Sequence, residues 1–460
     1  MNGAAPQREA YRDHIATLQR GTEEALVGAA ESGASFEGIV FHAGRARFFH
    51  ADDQTIPFRT VAHFGRFSPV RGPDHLLLFR PGQAPRLARV TPRDYWFDPP
   101  EQPSHPYEEV LDVCEVPDLA GAMRLLGDTR DCAYVGNAPP VADALGLSSS
   151  AVEPPALIAR LDWERGFKTP YEVECIREAA RVAGRGHRAV RRAVSSGASE
   201  RDIHAAYLAA TGQLESETPY AGIVAWDERA AVLHYTGRRA TRPDPGASFL
   251  IDAGATALGY ASDITRSLVR EGAHEVFVEA LRRMEALQRR LVEAVAPGDD
   301  FVELHRSALR GVASIACELG LLRVSVDAAL EADLVHPFLP HGLGHHLGLQ
   351  VHDVGGQQIE PDGTQRPPPP ELGALRTTRA LAPGHVVTIE PGLYLIPMLL
   401  DPLRSGPHRA AFDWHLIDGL ASCGGIRVED DVLVTEEGRE DLSRPFVPGA
   451  FDLDMAGTGS

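Results

Sequence analysis

The sequence predicts an α+β protein in two domains, and three observations carry that expectation. Its 460 residues exceed the size at which one hydrophobic core usually stops growing, so a chain of this length tends to divide. Segments with helical spacing are grouped beside strands that read as hairpin-connected, which favours α+β over a doubly wound parallel sheet. The run Thr169-Pro170-Tyr171-Glu172 reads as a capping box with proline at the first helical position, a fresh start just after residue 160. The expected parts are a small mixed α/β domain over 1–160, a larger domain over 161–445, and a disordered tail over 446–460.

The elements follow in order. Residues 10–28 have helical spacing, with Ile15, Leu18 and Leu26 on one side. Residues 38–42 and 75–79 are short apolar runs bounded by glycine and proline, which predicts strands. Residues 110–116 and 133–135 continue the mixture of strand and helix. After the capping box a helix is expected to about Val194, with Ile176, Ala180, Ala183 and Val190 inward. Further helices are expected from Ser199, over 275–295 and over 301–322. Between and after them lie four β-rich segments, 248–251, 259–269, 385–394 and 425–435. Residues 355–379 contain Pro367-Pro368-Pro369-Pro370 and little periodicity. A loop that long inside a compact domain is usually functional or disordered.

Composition excludes several classes. A formal charge of −19 opposes nucleic acid, whose phosphates require a basic footprint, and an anionic membrane surface. Five cysteines in 460 residues are scattered and form no CxxC pair, so neither a disulfide framework nor a thiolate zinc site is expected. The first twenty residues are polar, and no apolar run reaches membrane-spanning length. A cytoplasmic location is the resulting expectation.

Five residues could carry chemistry together. Asp252 ends the apolar run Phe249-Leu250-Ile251, and Asp263 follows eleven residues later. A strand, a glycine-containing turn and a returning strand can bring two such carboxylates together. His345 lies in a glycine- and histidine-rich stretch. Glu390 precedes Pro391-Gly392, and Glu429 follows Gly424-Gly425-Ile426-Arg427-Val428. Singly each has a plain reading: a turn former, a strand end, a loop histidine. Jointly they make an oxygen-rich set with one imidazole. Four buried carboxylates would repel one another unless divalent cations neutralised them. Such a set suits two hard or borderline ions, Mn²⁺ first and Co²⁺ or Zn²⁺ as alternatives. No GxSxG elbow or HExxH helix offers a rival mechanism.

In their local contexts these five residues resemble the metal-binding signature of the pita-bread peptidases, a family that includes methionine aminopeptidase, aminopeptidase P and prolidase. The resemblance covers essentially the whole chain. It is strongest toward bacterial prolidases, some of which also hydrolyse organophosphorus esters, through the segments 231–236, 340–345, 348–354, 375–379, 388–394 and 424–429. It implies a creatinase/aminopeptidase-type catalytic domain after the small first domain. It also implies an Xaa-Pro dipeptidase using a hydroxide held by two metals, with Asp252, Asp263, His345, Glu390 and Glu429 as ligands and Glu390 taking the proton of the attacking water. By the same resemblance His234 and His352 would stabilise the oxyanion or move a proton. Arg376 would pair with the substrate carboxylate, with nearby Arg379 as its competitor. Tyr220 would line the proline pocket, and Asp53 would reach from one subunit of a dimer to the substrate amine in the other. Arg427, two residues before Glu429 and so on the same strand face, is expected to clamp the acidic ligands. A homodimer is implied as well. The rival readings are an aminopeptidase P acting on longer peptides, a physiological organophosphate hydrolase, and a non-catalytic binding protein on the same fold.

Overall fold

The computed structural model describes residues 4–244 and 246–450, with side chains from residue 7 onward. The chain separates into two compact units. One comprises residues 1–174 with 358–365, the other residues 175–357 with 366–460.

The first unit opens on helix α1 (Ala4–Glu31), whose Ile15, Leu18 and Leu26 are buried together with Tyr11, as the spacing predicts. There follow β1 (Gly38–His42), the short ribbon β2 (Arg47–Phe48) and β3 (Thr55–Ile56), helix α2 (Ala62–Phe67), and strands β4 (Leu76–Phe79), β5 (Arg86–Val90) and β6 (Asp112–Val116). Helix α3 (Leu119–Leu126), β7 (Cys132–Val135), α4 (Pro139–Ala144) and α5 (Pro155–Gly166) complete it. Five strands form one sheet in the order β6-β5-β4-β1-β7. β1 pairs antiparallel with β4 and parallel with β7. All five residues of β1 are buried, as befits a central strand covered on both faces.

Helix α6 (Pro170–Ser195) begins at the expected capping box. The Thr169 amide donates to Glu172 Oε2 at 2.9 Å and the Glu172 amide donates to Thr169 Oγ1 at 3.3 Å, so two otherwise orphaned amides are satisfied reciprocally. Ser199 caps α7 (Glu200–Thr211) by accepting from the Asp202 amide.

Strands of the second unit are β8 (Ile223–Trp226), β9 (Ser248–Asp252), β10 (Thr256–Ala257), β11 (Tyr260–Ala261) and β12 (Thr265–Val269). After helices α8 (Glu275–Ala294) and α9 (Phe301–Glu318) come β13 (Val386–Ile389), β14 (Gly392–Tyr394), β15 (Gly425–Arg427), β16 (Asp430–Thr435) and β17 (Gly438–Asp441). They form antiparallel sheets β12-β9-β8 and β13-β16-β17 and the pairs β10-β11 and β14-β15. Phe277, Leu281 and Met284 of α8 and Phe301 and Val312 of α9 join Ile389, Ile426 and Val432 in one core. Each such side chain contributes about 1.5–3 kcal/mol by leaving water.

Three of the expected β segments are broken. Residues 259–269 divide between β11 and β12, 385–394 between β13 and β14, and 425–435 between β15 and β16. Asp263, Glu390 and Glu429 lie in those breaks. A regular ladder alternates side chains between faces. An interruption frees a residue to turn its carboxylate toward a common point.

The long segment 355–379 holds one short 3₁₀ turn, Pro370–Leu372, and an isolated bridge between Gln358 and Gln365. The disorder expected from Phe446 does not begin there. Val447 is buried and its carbonyl accepts from Arg266, because that guanidinium needs acceptors in the interior. Residues 451–460 of the expected tail lie outside the described residues. No described helix is long and apolar enough to cross a membrane, and none of the five cysteines is joined in a disulfide.

Candidate metal centre

The register of β9 against β12 places Asp252 opposite Thr265, and the turn between the two strands returns Asp263 to the same end. Gly254 permits this approach: a Cβ there would lie 1.8 Å from the Ser262 carbonyl oxygen. Gly344 serves His345 in the same way, since its Cβ would fall 1.9 Å from the Thr388 carbonyl oxygen. The His345 amide donates to Thr388 Oγ1 and the Thr388 amide to the His345 carbonyl, which ties the histidine segment to the strand leading to Glu390.

Asp263, His345 and Glu429, all buried, offer ligand atoms within 4.8 Å of one another. His345 Nε2 lies 3.5 Å from Asp263 Oδ2 and 3.6 Å from Glu390 Oε1. Glu429 Oε2 accepts from Thr265 Oγ1 at 2.6 Å, and Glu390 Oε1 from Thr388 Oγ1 at 3.3 Å. Arg427 donates to Asp252 Oδ2 at 2.7 Å, to Tyr394 Oη at 2.9 Å and to Thr265 Oγ1 at 3.0 Å. Its donors are thus directed at the acidic cluster and its supports.

The electrostatics test whether cations fit. Burial pushes the Glu390 carboxyl up to about 7 against the pull of His345 and Arg427. Burial also raises Glu429 well above the usual range, with further repulsion from Asp263, Glu390 and Asp252. Asp252 is raised by burial despite Arg427. Burial opposes ionisation of Asp263 too, but His345 outweighs it and the carboxyl is held low. His345 is raised overall, because Asp263 and Glu390 overcome the burial that opposes its charge. Its Nδ1 lies 3.0 Å from the His346 carbonyl oxygen, an acceptor only, so Nδ1 carries a proton. A neutral ring would therefore turn the Nε2 lone pair toward two carboxylates. A proton or a metal cation must stand between them, and a cation also neutralises the remaining acids. The buried atoms Asp252 Oδ1 and Tyr220 Oη have no hydrogen-bond partner of ordinary geometry. The donor set fits divalent cations.

Around this cluster the other expected residues are distributed as follows. The His352 ring stands edge-on to His345, centroids 4.5 Å apart, and is held down to about 4 by burial, then by His345 and Arg376. Exposed His234 is near enough for its charge to depress both His341 and His352. Arg376 is exposed, whereas Arg379 is buried and donates to the Gly355 carbonyl. The buried Tyr220 hydroxyl is raised by burial and by Asp252 and Asp263. Asp53 is exposed between β2 and β3 of the first unit. His346 faces His385 instead, centroids 4.8 Å apart, as alternation along an extended segment predicts.

Sequence reasoning missed the supports Thr265, Thr388 and Tyr394. A signal existed for two of them. Asp263-Ile264-Thr265 and Thr388-Ile389-Glu390 place a hydroxyl two residues from a carboxylate, the spacing that shares a strand face. His341 joins the same support through Tyr394 Oη at 2.8 Å.

The metallopeptidase family M24 model matches residues 174–436, and that for the Xaa-Pro dipeptidase N-terminal domain matches residues 9–163. The Xaa-Pro dipeptidase of Stenotrophomonas maltophilia (strain R551-3) is 41% identical over 444 residues, covering 96% of this chain and 98% of its own length. That of Xanthomonas campestris pv. campestris (strain B100) is 40% identical, covering 95% and 97%. Among solved structures, aminopeptidase P from E. coli with the inhibitor Pro-Leu has a TM-score of 0.71 at 22% identity, covering 96% of this chain and 97% of its own. Pseudomonas aeruginosa aminopeptidase PepP has a TM-score of 0.70 at 22% identity, covering 95% and 96%.

Proposed function

The chain belongs to metallopeptidase family M24, with its pita-bread fold, and from that premise we propose that it is a metal-dependent Xaa-Pro dipeptidase. It cleaves the bond between an amino acid and a C-terminal proline. The observation that supports this most is the clustering of Asp263, His345 and Glu429, with Glu390 against His345 and Asp252 held by Arg427.

In this reading Asp252, Asp263, His345, Glu390 and Glu429 hold two divalent cations. Manganese is the proposed metal, because the donors are four carboxylates and one imidazole. When bound, the cations would supply Lewis acidity to the scissile carbonyl and acidify the attacking water. Arg427 and Thr265 fix the directions of Asp252 and Glu429. Glu390 accepts the proton of the water. His234 and His352 are assigned to stabilise the developing oxyanion and to return a proton to the departing proline nitrogen. Exposed Arg376 pairs with the proline carboxylate, a use suited to its planar fork. Tyr220 borders the proline pocket, and Asp53 is assigned to the substrate amine in the other subunit of a dimer.

Three finer features belong to the proposal. A slow activity on organophosphorus esters would use the same centre. Cysteines outside disulfides suit a reducing cytoplasm. The protein works as a homodimer, which sedimentation at micromolar concentration would test. The functional test is kcat/KM of manganese-loaded protein on Gly-Pro, on Gly-Pro-Gly and on a phosphotriester. A strong preference for Gly-Pro is expected. Equal rates on the dipeptide and tripeptide would point to an aminopeptidase P, and a preference for the phosphotriester to a different physiological substrate.

A further inference from the structure

Residues between β8 and β9 present His234 on a segment whose only regular structure among the described residues is a 3₁₀ turn, Asp227–Ala231. Something other than a ladder must fix that histidine. Two buried acids contact the segment. Asp227 accepts from the backbone amides of Gly246, Ala247 and Ser248, which ties the start of the segment to its end. Glu200, in the first turn of α7 and 1% exposed, reaches its middle. Glu200 Oε1 accepts from the Trp226 amide at 3.0 Å, and Oε2 accepts from Tyr235 Oη at 2.7 Å and the Arg239 amide at 2.6 Å. The Arg201 amide, one of the orphaned donors at the start of α7, donates to the Arg239 carbonyl at 3.1 Å.

His234 lies inside this arrangement. The Tyr235 amide donates to the Val232 carbonyl at 3.1 Å, so His234 is the third residue of a tight turn. The next side chain, Tyr235, ends on Glu200. An exposed imidazole on an irregular segment would otherwise sample many directions, at a cost in lost orientation. A buried carboxylate bonded to three donors, none of them a charged group, is an expensive way to make a loop. The expense is understandable if the loop must hold one side chain still.

We propose that Glu200 is a positioning residue for His234, acting through the Tyr235 hydroxyl and the Arg239 amide. The proposal rests on the dipeptidase reading for its effect on rate. The bland alternative is that Glu200 merely stabilises the fold around α7.

A double-mutant cycle separates the two on manganese-loaded protein acting on Gly-Pro. Tyr235→Phe removes one hydroxyl and keeps the packing of the ring, so it remains informative even where Glu200→Ala fails to fold. Each variant is expected to lower kcat several-fold, toward the roughly hundredfold cost of a misplacement of about 1 Å. KM should change less than about twofold and metal content not at all. In a His234→Ala background neither substitution should lower kcat further. Losses that multiply in that background, or an unchanged kcat in both single variants, overturn the proposal. A second readout does not depend on turnover: mass-spectrometric acylation of His234 by diethylpyrocarbonate. Its rate should change at least about twofold in Tyr235→Phe, because the loop no longer holds the ring in one orientation, while exposed His415 reacts as in the wild type. An unchanged rate at His234 contradicts the positioning role. A wild type inactive on Gly-Pro sinks the dipeptidase reading instead, and the acylation rates still decide the role of Glu200.

Discussion

Arg427 Nη2 donates to Asp252 Oδ2 across 2.7 Å, joining side chains 175 residues apart in sequence. A cation is thereby committed to orienting one carboxylate of a cluster that otherwise repels itself. Replacing Arg427 by lysine keeps the charge and loses the fork that also reaches Thr265 and Tyr394. Arg427→Lys should therefore weaken manganese affinity by roughly tenfold or more, measured by competition with a chelator. An unchanged affinity would show that charge alone matters.

The repulsion around Glu429 gives a prediction of opposite sign in two states. In protein stripped by chelator, Glu429→Gln removes a carboxylate that burial and its neighbours hold well above the usual range. The variant should melt about 2 °C or more above the wild type under those conditions. With manganese added, the wild type should gain stability and the variant much less. Differential scanning calorimetry with and without metal reads both arms.

Arg376 is exposed near His352. Arg376→Ala should lower kcat/KM on Gly-Pro by roughly tenfold, the value of a charged hydrogen bond at a wet site. The tripeptide should be nearly unaffected, so the gap between the two substrates narrows. Parallel losses on both would remove Arg376 from carboxylate recognition.

The first unit carries a pH-dependent element. Burial opposes ionisation of Glu172, but Arg66, His14 and Lys168 prevail and hold its carboxyl down to about 2, against 4.5 in an unstructured chain. Arg66 pairs with it at 3.1 Å. A folded pKa below the unfolded one stabilises the native state fully above the unfolded value. That contribution, about 3 kcal/mol, is lost as pH falls from about 4.5 toward 2. Glu172→Gln should lower stability to denaturant at pH 7, with the difference from wild type shrinking through that window. A difference independent of pH would contradict the assignment.

Local rules made much of the architecture legible. The apolar runs at β1 and β9, the capping box at Thr169 and the helical faces of α1 and α6 are all short-range signals, and they appear where the pattern predicts. The breaks at Asp263, Glu390 and Glu429 were not legible. Their flanking residues are good strand formers, and only cross-chain partners such as Thr265 and Thr388 show where each ladder yields. The interior polar network is similar. Arg266 is fully buried on Asp430 at 2.6 Å, and Asp430 also receives Arg444 and Ser443. In sequence these read as ordinary surface charges, because nothing local marks which acid a buried guanidinium will meet. The packed residues 446–450 were misjudged for the same reason, since it is Arg266 that binds the Val447 carbonyl. Glu200 likewise resembles a routine acidic first-turn residue until the loop around His234 closes over it.

Anomalous diffraction at the manganese edge, from crystals of metal-loaded protein, is the most direct test. Two peaks are expected, both surrounded by Asp252, Asp263, His345, Glu390 and Glu429. Peaks elsewhere, or none at these five side chains, would contradict the account.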